Sequence, residues 1–155
     1  MTSVIIPTPQ RTTGEVYPAI SVQRPKLLEP RFDCVYLTSS TRDAERAVEL
    51  MEPEGIRLCH ASRLGDAEAW LRFSRSHVLL VDHTFRGGDW RDALNMTFRL
   101  NVPTALVVAA WLRDDKLWLE VLQSGAYDLV QKPFKAVDLR RALENANGLS
   151  TERVF

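Results

Sequence analysis

Cysteine is nearly absent: Cys34 and Cys59 are the only two in 155 residues. No CxxC pair or His/Cys cluster accompanies them, which excludes a disulfide-built scaffold and a thiolate metal site. Both lie in apolar segments, where a thiol serves as a small buried hydrophobe. An excess of either charge is also lacking. Twenty Lys+Arg face twenty Asp+Glu, a formal net charge of +0, so no global field draws the chain to nucleic acid or anionic lipid. Sixteen of the basic residues are arginine, but they alternate with acids along helix-length segments such as 41–49, as on a solvated surface, and no basic stripe with interleaved aromatics appears. Long apolar runs are missing too. The stretch 104–112 is among the longest, far below the roughly 20 residues that cross a bilayer. Residues 1–9 show no basic start, apolar stretch and small-residue cleavage site, so the expected location is cytoplasmic.

What is present suits one globular domain. A chain of this length with 45% apolar residues can fill a single core. Five of the eight prolines, Pro7, Pro9, Pro18, Pro25 and Pro30, fall in the first thirty residues, where no period of 2 or 3.6 is sustained. Residues 1–30 are expected to form a disordered tail, 31–147 the domain and 148–155 a short C-terminal tail. From Phe32 onward short apolar runs alternate with amphipathic, helix-length segments. The runs 34–37, 56–61, 77–81, 104–110 and 129–131 predict strands; 42–51, 65–72, 90–100, 116–123 and 136–147 predict helices. Trp90, Ala93, Leu94, Thr97 and Phe98 recur on one stripe. Ser40 with Asp43 approximates a capping box, Asp114 and Asp115 open the fourth helix, and Gly125 closes it. The expected fold is α/β: a doubly wound, five-stranded parallel sheet of order 2-1-3-4-5 with five helices. In such sheets function gathers beyond the carboxyl ends of the strands, at 38–41, 61–63, 82–85, 110–112 and 132–134.

Asp82 ends the run Val78-Leu79-Leu80-Val81 and Lys132 follows the last strand, so a carboxylate and an ammonium converge at the sheet's rim. Here residues 32–147 resemble a response-regulator receiver domain of two-component signalling, CheY-like in architecture. The tract Gly125-Ala126-Tyr127-Asp128-Leu129-Val130-Gln131-Lys132-Pro133-Phe134 carries the resemblance most specifically, and the Asp82 strand is second. The resemblance implies that Asp82 is the phosphoacceptor for a histidine kinase or phosphotransfer protein and that Lys132 contacts the phosphoryl oxygens. It also implies a cis Lys132-Pro133 bond and a Mg²⁺ ion held by an acidic pair after the first strand, the acceptor, and a carbonyl two residues on, at Thr84.

The chain departs from that pattern at three places. Thr38 and Ser39 stand where the acidic pair belongs, so the metal site is expected to be incomplete, with no cofactor. Ala110 replaces the hydroxyl residue that swings toward the phosphoryl group, and Leu129 replaces the aromatic that moves with it. Two readings of Asp82 stay open: phosphoacceptor, or half of a structural pair with Lys132. The expected function is an atypical, stand-alone receiver, not an enzyme, with impaired Mg²⁺-dependent phosphorylation, acting on a downstream protein through contacts. The alternatives are a phosphorylation-independent scaffold and a flavin-binding, flavodoxin-like protein whose hydroxyls at 38–41 would face a phosphate.

Asp43 and Asp89 are nearby acids with no spacing that places them in the pocket. His60, His77 and His83 lack partners at ligand spacing. Trp70 and Trp90 fit core stripes. If Leu119 and Leu122 face the sheet, Trp118 points partly outward. With Trp111 and Leu112 it nominates the face of the fourth helix, fifth strand and fifth helix for a homodimer or partner.

Overall fold

The computed structural model describes residues 31–111 and 114–153; the expected leading tail and Leu112 lie outside the described residues. Alternating short β-branched runs and amphipathic segments give β1 (Phe32–Leu37), α1 (Thr41–Met51), β2 (Ile56–Ala61), α2 (Leu64–Phe73) and β3 (Val78–Asp82). Next come β4 (Thr84–Phe85), β5 (Gly88–Asp89), α3 (Trp90–Phe98), β6 (Ala105–Ala110), α4 (Asp115–Gln123), β7 (Asp128–Gln131) and α5 (Ala136–Arg153). A short 3₁₀ turn, Glu52–Glu54, links α1 to β2. The large sheet runs β2-β1-β3-β6-β7, every neighbouring pair parallel. This is the expected order, with the small antiparallel pair β4–β5 added between the third and fourth sheet strands. That hairpin was not anticipated; Gly87, at φ 94°, makes its turn. The last helix, expected to stop near residue 147, continues to Arg153.

Side chains alternate along each strand, so the sheet divides the core in two. Val35, Leu37, Leu79, Val81, Leu106 and Val108 pack on the side of α2, α3 and α4. Cys34, Tyr36, Val78, Leu80, Ala105 and Val107 pack on the side of α1 and α5, with Met51, Phe134, Leu139 and Leu143. This parity decides which residues can meet at the rim. Positions 36 and 38 of the first strand run, 82 of the third and 132 after β7 all fall on the α1–α5 side.

The helix ends follow their local chemistry. The Ser40 hydroxyl accepts from the Asp43 amide, and Asp89 with Asp92 forms a reciprocal capping box on α3. Asp114 accepts from the Leu117 amide at 2.7 Å. Gly125, at φ 107°, terminates α4.

Three packing expectations need correction. Trp70 is 44% exposed because the buried stripe of α2 runs through Ala67 and Leu71, about 100° around the helix. Phe98 is 65% exposed; as the last residue of α3 it leaves the sheet face and lies against Gly125, where a β-carbon would come within 3.3 Å of its ring. Leu119 is 49% exposed. The sheet-facing residue of α4 is Val121, and Leu117 and Trp118, partly buried, pack against the same core.

Candidate functional site

Asp82 is buried as a residue, 6% exposed, and Lys132 is buried with it. Their convergence follows from register. Asp82 pairs with Ala109 on β6, and Ala109 pairs with Val130 on β7, so only a methyl group separates the carboxylate from the strand that ends before Lys132. The ammonium lies 3.1 Å from Asp82 Oδ1. The expected pair therefore forms, and the Lys132-Pro133 bond is cis.

The structure adds partners that the strand-end reading missed. Tyr36 and Leu80 are opposite each other in β1 and β3, so the next inward position on each strand sets Thr38 against Asp82. Thr38 donates its hydroxyl to Asp82 Oδ2 at 2.5 Å, and Tyr36 donates to Oδ1 at 2.6 Å. Both carboxylate oxygens are thus engaged from β1 and the residue that follows it. The Tyr36 ring is fixed by edge-on packing against Phe134. Burial, and then the negative charge of Asp82, push the Tyr36 phenol well above its ordinary pKa, so it remains a donor.

Asp43 is the second addition. Its Oδ2 accepts from Lys132 at 2.8 Å, shorter than the Asp82 contact. The reciprocal half of the capping box is therefore not made. Asp43 turns across to the lysine, and the Ser40 amide donates instead to the Thr38 hydroxyl at 3.0 Å. The Trp111 ring completes the surroundings, with the ammonium 4.9 Å from its centroid, although Trp111 itself is 61% exposed.

Asp82, Asp43, Lys132 and Trp111 line a cavity of about 640 Å³, together with Thr84, His83 and Asp114. Ser39, expected at the metal site, accepts from the Arg86 amide at 2.6 Å and so ties the α1 approach to the β4–β5 turn. His60 contacts the Thr38 carbonyl at 3.0 Å. Pro133 is exposed, while Ala110 and Leu129 are buried in the apolar core of the opposite face, and Ala110 also lines the cavity beside Asp82.

A Mg²⁺ ion would need hard oxygen donors free to face it. Asp82 is held by two hydroxyls and an ammonium, Asp43 by the same ammonium, and Ser39 by a backbone amide. Among the described residues no group of three or more His, Cys, Asp or Glu side chains could hold a metal ion. The donor set does not fit Mg²⁺. Of the three hydroxyls here, Thr38 donates to Asp82, while Ser39 and Ser40 accept from the Arg86 and Asp43 amides.

Among the described residues no helix is long and apolar enough to cross a membrane. No family model and no curated protein matches the chain. Solved structures do. The signal receiver domain of a putative LuxO repressor protein from Vibrio parahaemolyticus is similar at 20% identity and a TM-score of 0.71, covering 81% of this chain and 95% of that one. The receiver domain of a Francisella response regulator is similar at 18% identity and 0.68, covering 77% and 98%. The beryllofluoride-activated NtrC4 receiver domain dimer is similar at 16% and 0.68, covering 76% and 98%. Strand order, the cis turn after β7 and these likenesses agree: the described residues adopt the receiver-domain fold of response regulators.

Proposed function

We propose that this chain is an atypical receiver module of two-component signalling, in which Asp82 is withheld from Mg²⁺-dependent phosphorylation and which acts through protein contacts rather than on a substrate. Its partners are a histidine kinase or phosphotransfer protein, a downstream protein, or both. The observation that carries this reading is the triple engagement of the Asp82 carboxylate by Tyr36, Thr38 and Lys132. An attacking carboxylate oxygen must be free to meet phosphorus in line, with cations neutralising the equatorial oxygens. Here the nucleophile is hydrogen-bonded at both oxygens, and hydroxyls replace the metal-binding acids. The usual relay is also without its hydroxyl, at Ala110, and its aromatic, at Leu129. Contacts through the fourth-helix face rest on Trp111 and Leu119, the exposed apolar groups of that region.

The test is thermal unfolding with beryllofluoride and Mg²⁺, which together mimic an aspartyl phosphate. No rise in Tm is expected. A rise of several degrees that disappears in Asp82→Asn would overturn the reading.

A further inference from the structure

We infer that Asp43 is the built-in counter-anion of Lys132, a tethered carboxylate that takes the place at the ammonium which an anion of the phosphoryl class would otherwise occupy. This rests on the proposed reading of the pocket as a receiver site and says what keeps that site closed. A lysine ammonium has three donors and no acceptor. At Lys132 one side meets Asp43 at 2.8 Å, one meets Asp82 at 3.1 Å, and the Trp111 ring covers a third. An incoming anion must displace one of these. The Trp111 ring supplies no charge to exchange, and Asp82 is pinned by Tyr36 and Thr38. Asp43 remains: it is the closer carboxylate and the more exposed of the two, with side-chain exposures of 16% against 9%.

Asp43 stands on the first turn of α1, so its carboxylate is delivered at the high local concentration of a tethered group, against which a free anion competes poorly. The electrostatics point the same way. Among the described residues the cavity wall carries Asp43, Asp82 and Asp114 against the ammonium of Lys132, with the His83 imidazole beside them, an arrangement that repels a phosphate dianion. Removing the Asp43 side chain vacates a carboxylate-sized space beside an unshielded donor.

Inorganic phosphate, compared with chloride at matched ionic strength and with EDTA throughout, is the probe, and Tm is the readout. The full chain should respond to phosphate only by the small general effect of an excluded anion. Asp43→Ala should melt several degrees lower and recover at least half of that loss in phosphate. Asp43→Ala with Lys132→Met should show no recovery beyond that of the wild type. Equal responses of wild type and Asp43→Ala, or recovery that survives Lys132→Met, would overturn the inference. Should Asp43→Ala not fold, Asp43→Asn is titrated with phosphate and followed at the Lys132 backbone amide by NMR. A saturable shift that the wild type lacks supports the inference, and its absence overturns it. Because no metal or beryllofluoride is present, failure here leaves the receiver reading standing, whereas a beryllofluoride response of the wild type removes that reading.

Discussion

At the residue scale the site is governed by how a buried carboxylate is satisfied. An ionised Asp82 in this position is costly unless its oxygens are hydrogen-bonded and its charge is paired. Lys132 supplies the charge, and Tyr36 and Thr38 supply neutral donors that do not themselves add charge to the pocket. Tyr36→Phe removes one hydroxyl and keeps the ring against Phe134. A hydrogen bond to a charged group contributes about 1.5 to 3 kcal/mol, so the variant should lose an amount in that range by urea unfolding. A loss below about 0.5 kcal/mol would mean that the phenol does not carry the carboxylate. Asp82 and Lys132 were legible in the sequence because each ends a strand run in a tract of known resemblance. Tyr36 was not singled out, although parity could have found it. It lies two positions before Thr38 on the same face, diagonal to the rim carboxylate. Asp43 was less legible still, since a first-turn acid reads as helix capping until the chain brings Lys132 across 89 residues of separation to meet it.

At the element scale, period and termination account for most of the architecture. The five sheet strands were evident as apolar runs because a parallel sheet covered on both faces needs apolar residues on both sides of each strand. The hairpin β4–β5 left no such trace: two-residue strands are too short for a period, and the turn signal is the Gly87-Gly88 pair alone. Helix rotation was the weaker inference. Spacing puts Trp70 and Phe98 on core stripes, yet each sits one residue off a buried position, Leu71 and Thr97, while Leu119, which spacing allows to face the sheet with Leu122, sits two residues before the buried Val121. Gly125 illustrates what termination demands. Its φ of 107° lies where a β-carbon is strained, and that carbon would also come within 3.3 Å of the Phe98 ring. Gly125→Ala should therefore destabilise by about 1 to 2 kcal/mol, whereas Gly65→Ala, in a helix with open space around the α-carbon, should be neutral or stabilising by up to about 1 kcal/mol. Chemical denaturation of the two variants side by side checks the contrast. Equal effects would show that the backbone conformation at residue 125 imposes no cost.

At the scale of the whole molecule, the inward face that holds Asp82 also stores groups which resist ionisation. Burial raises the Cys34 thiol above its ordinary 9.0. Burial together with the Asp82 charge raises the Tyr36 phenol above its ordinary 10.0. Cys59, on the neighbouring strand, moves the same way. For each, the folded state holds its proton to a higher pH than the unfolded chain does. Their stabilising contributions are complete below the ordinary values and are lost as pH rises beyond them, because unfolding then releases protons. The fold should accordingly hold its stability up to about pH 8 and lose it progressively above pH 9, each fully retained proton contributing a slope of up to about 1.4 kcal/mol per pH unit. Cys34→Ala should flatten the descent from its start, near pH 9, and Tyr36→Phe should flatten it only above pH 10. Urea unfolding at half-unit steps from pH 8 to 11 separates the two, because it reads slopes and is insensitive to whatever constant stability each substitution costs. If neither variant alters the slope, the alkaline loss comes from Cys59 or surface charge, and the Tyr36–Asp82 contact is open enough to water for the phenol to titrate as it does in the unfolded chain.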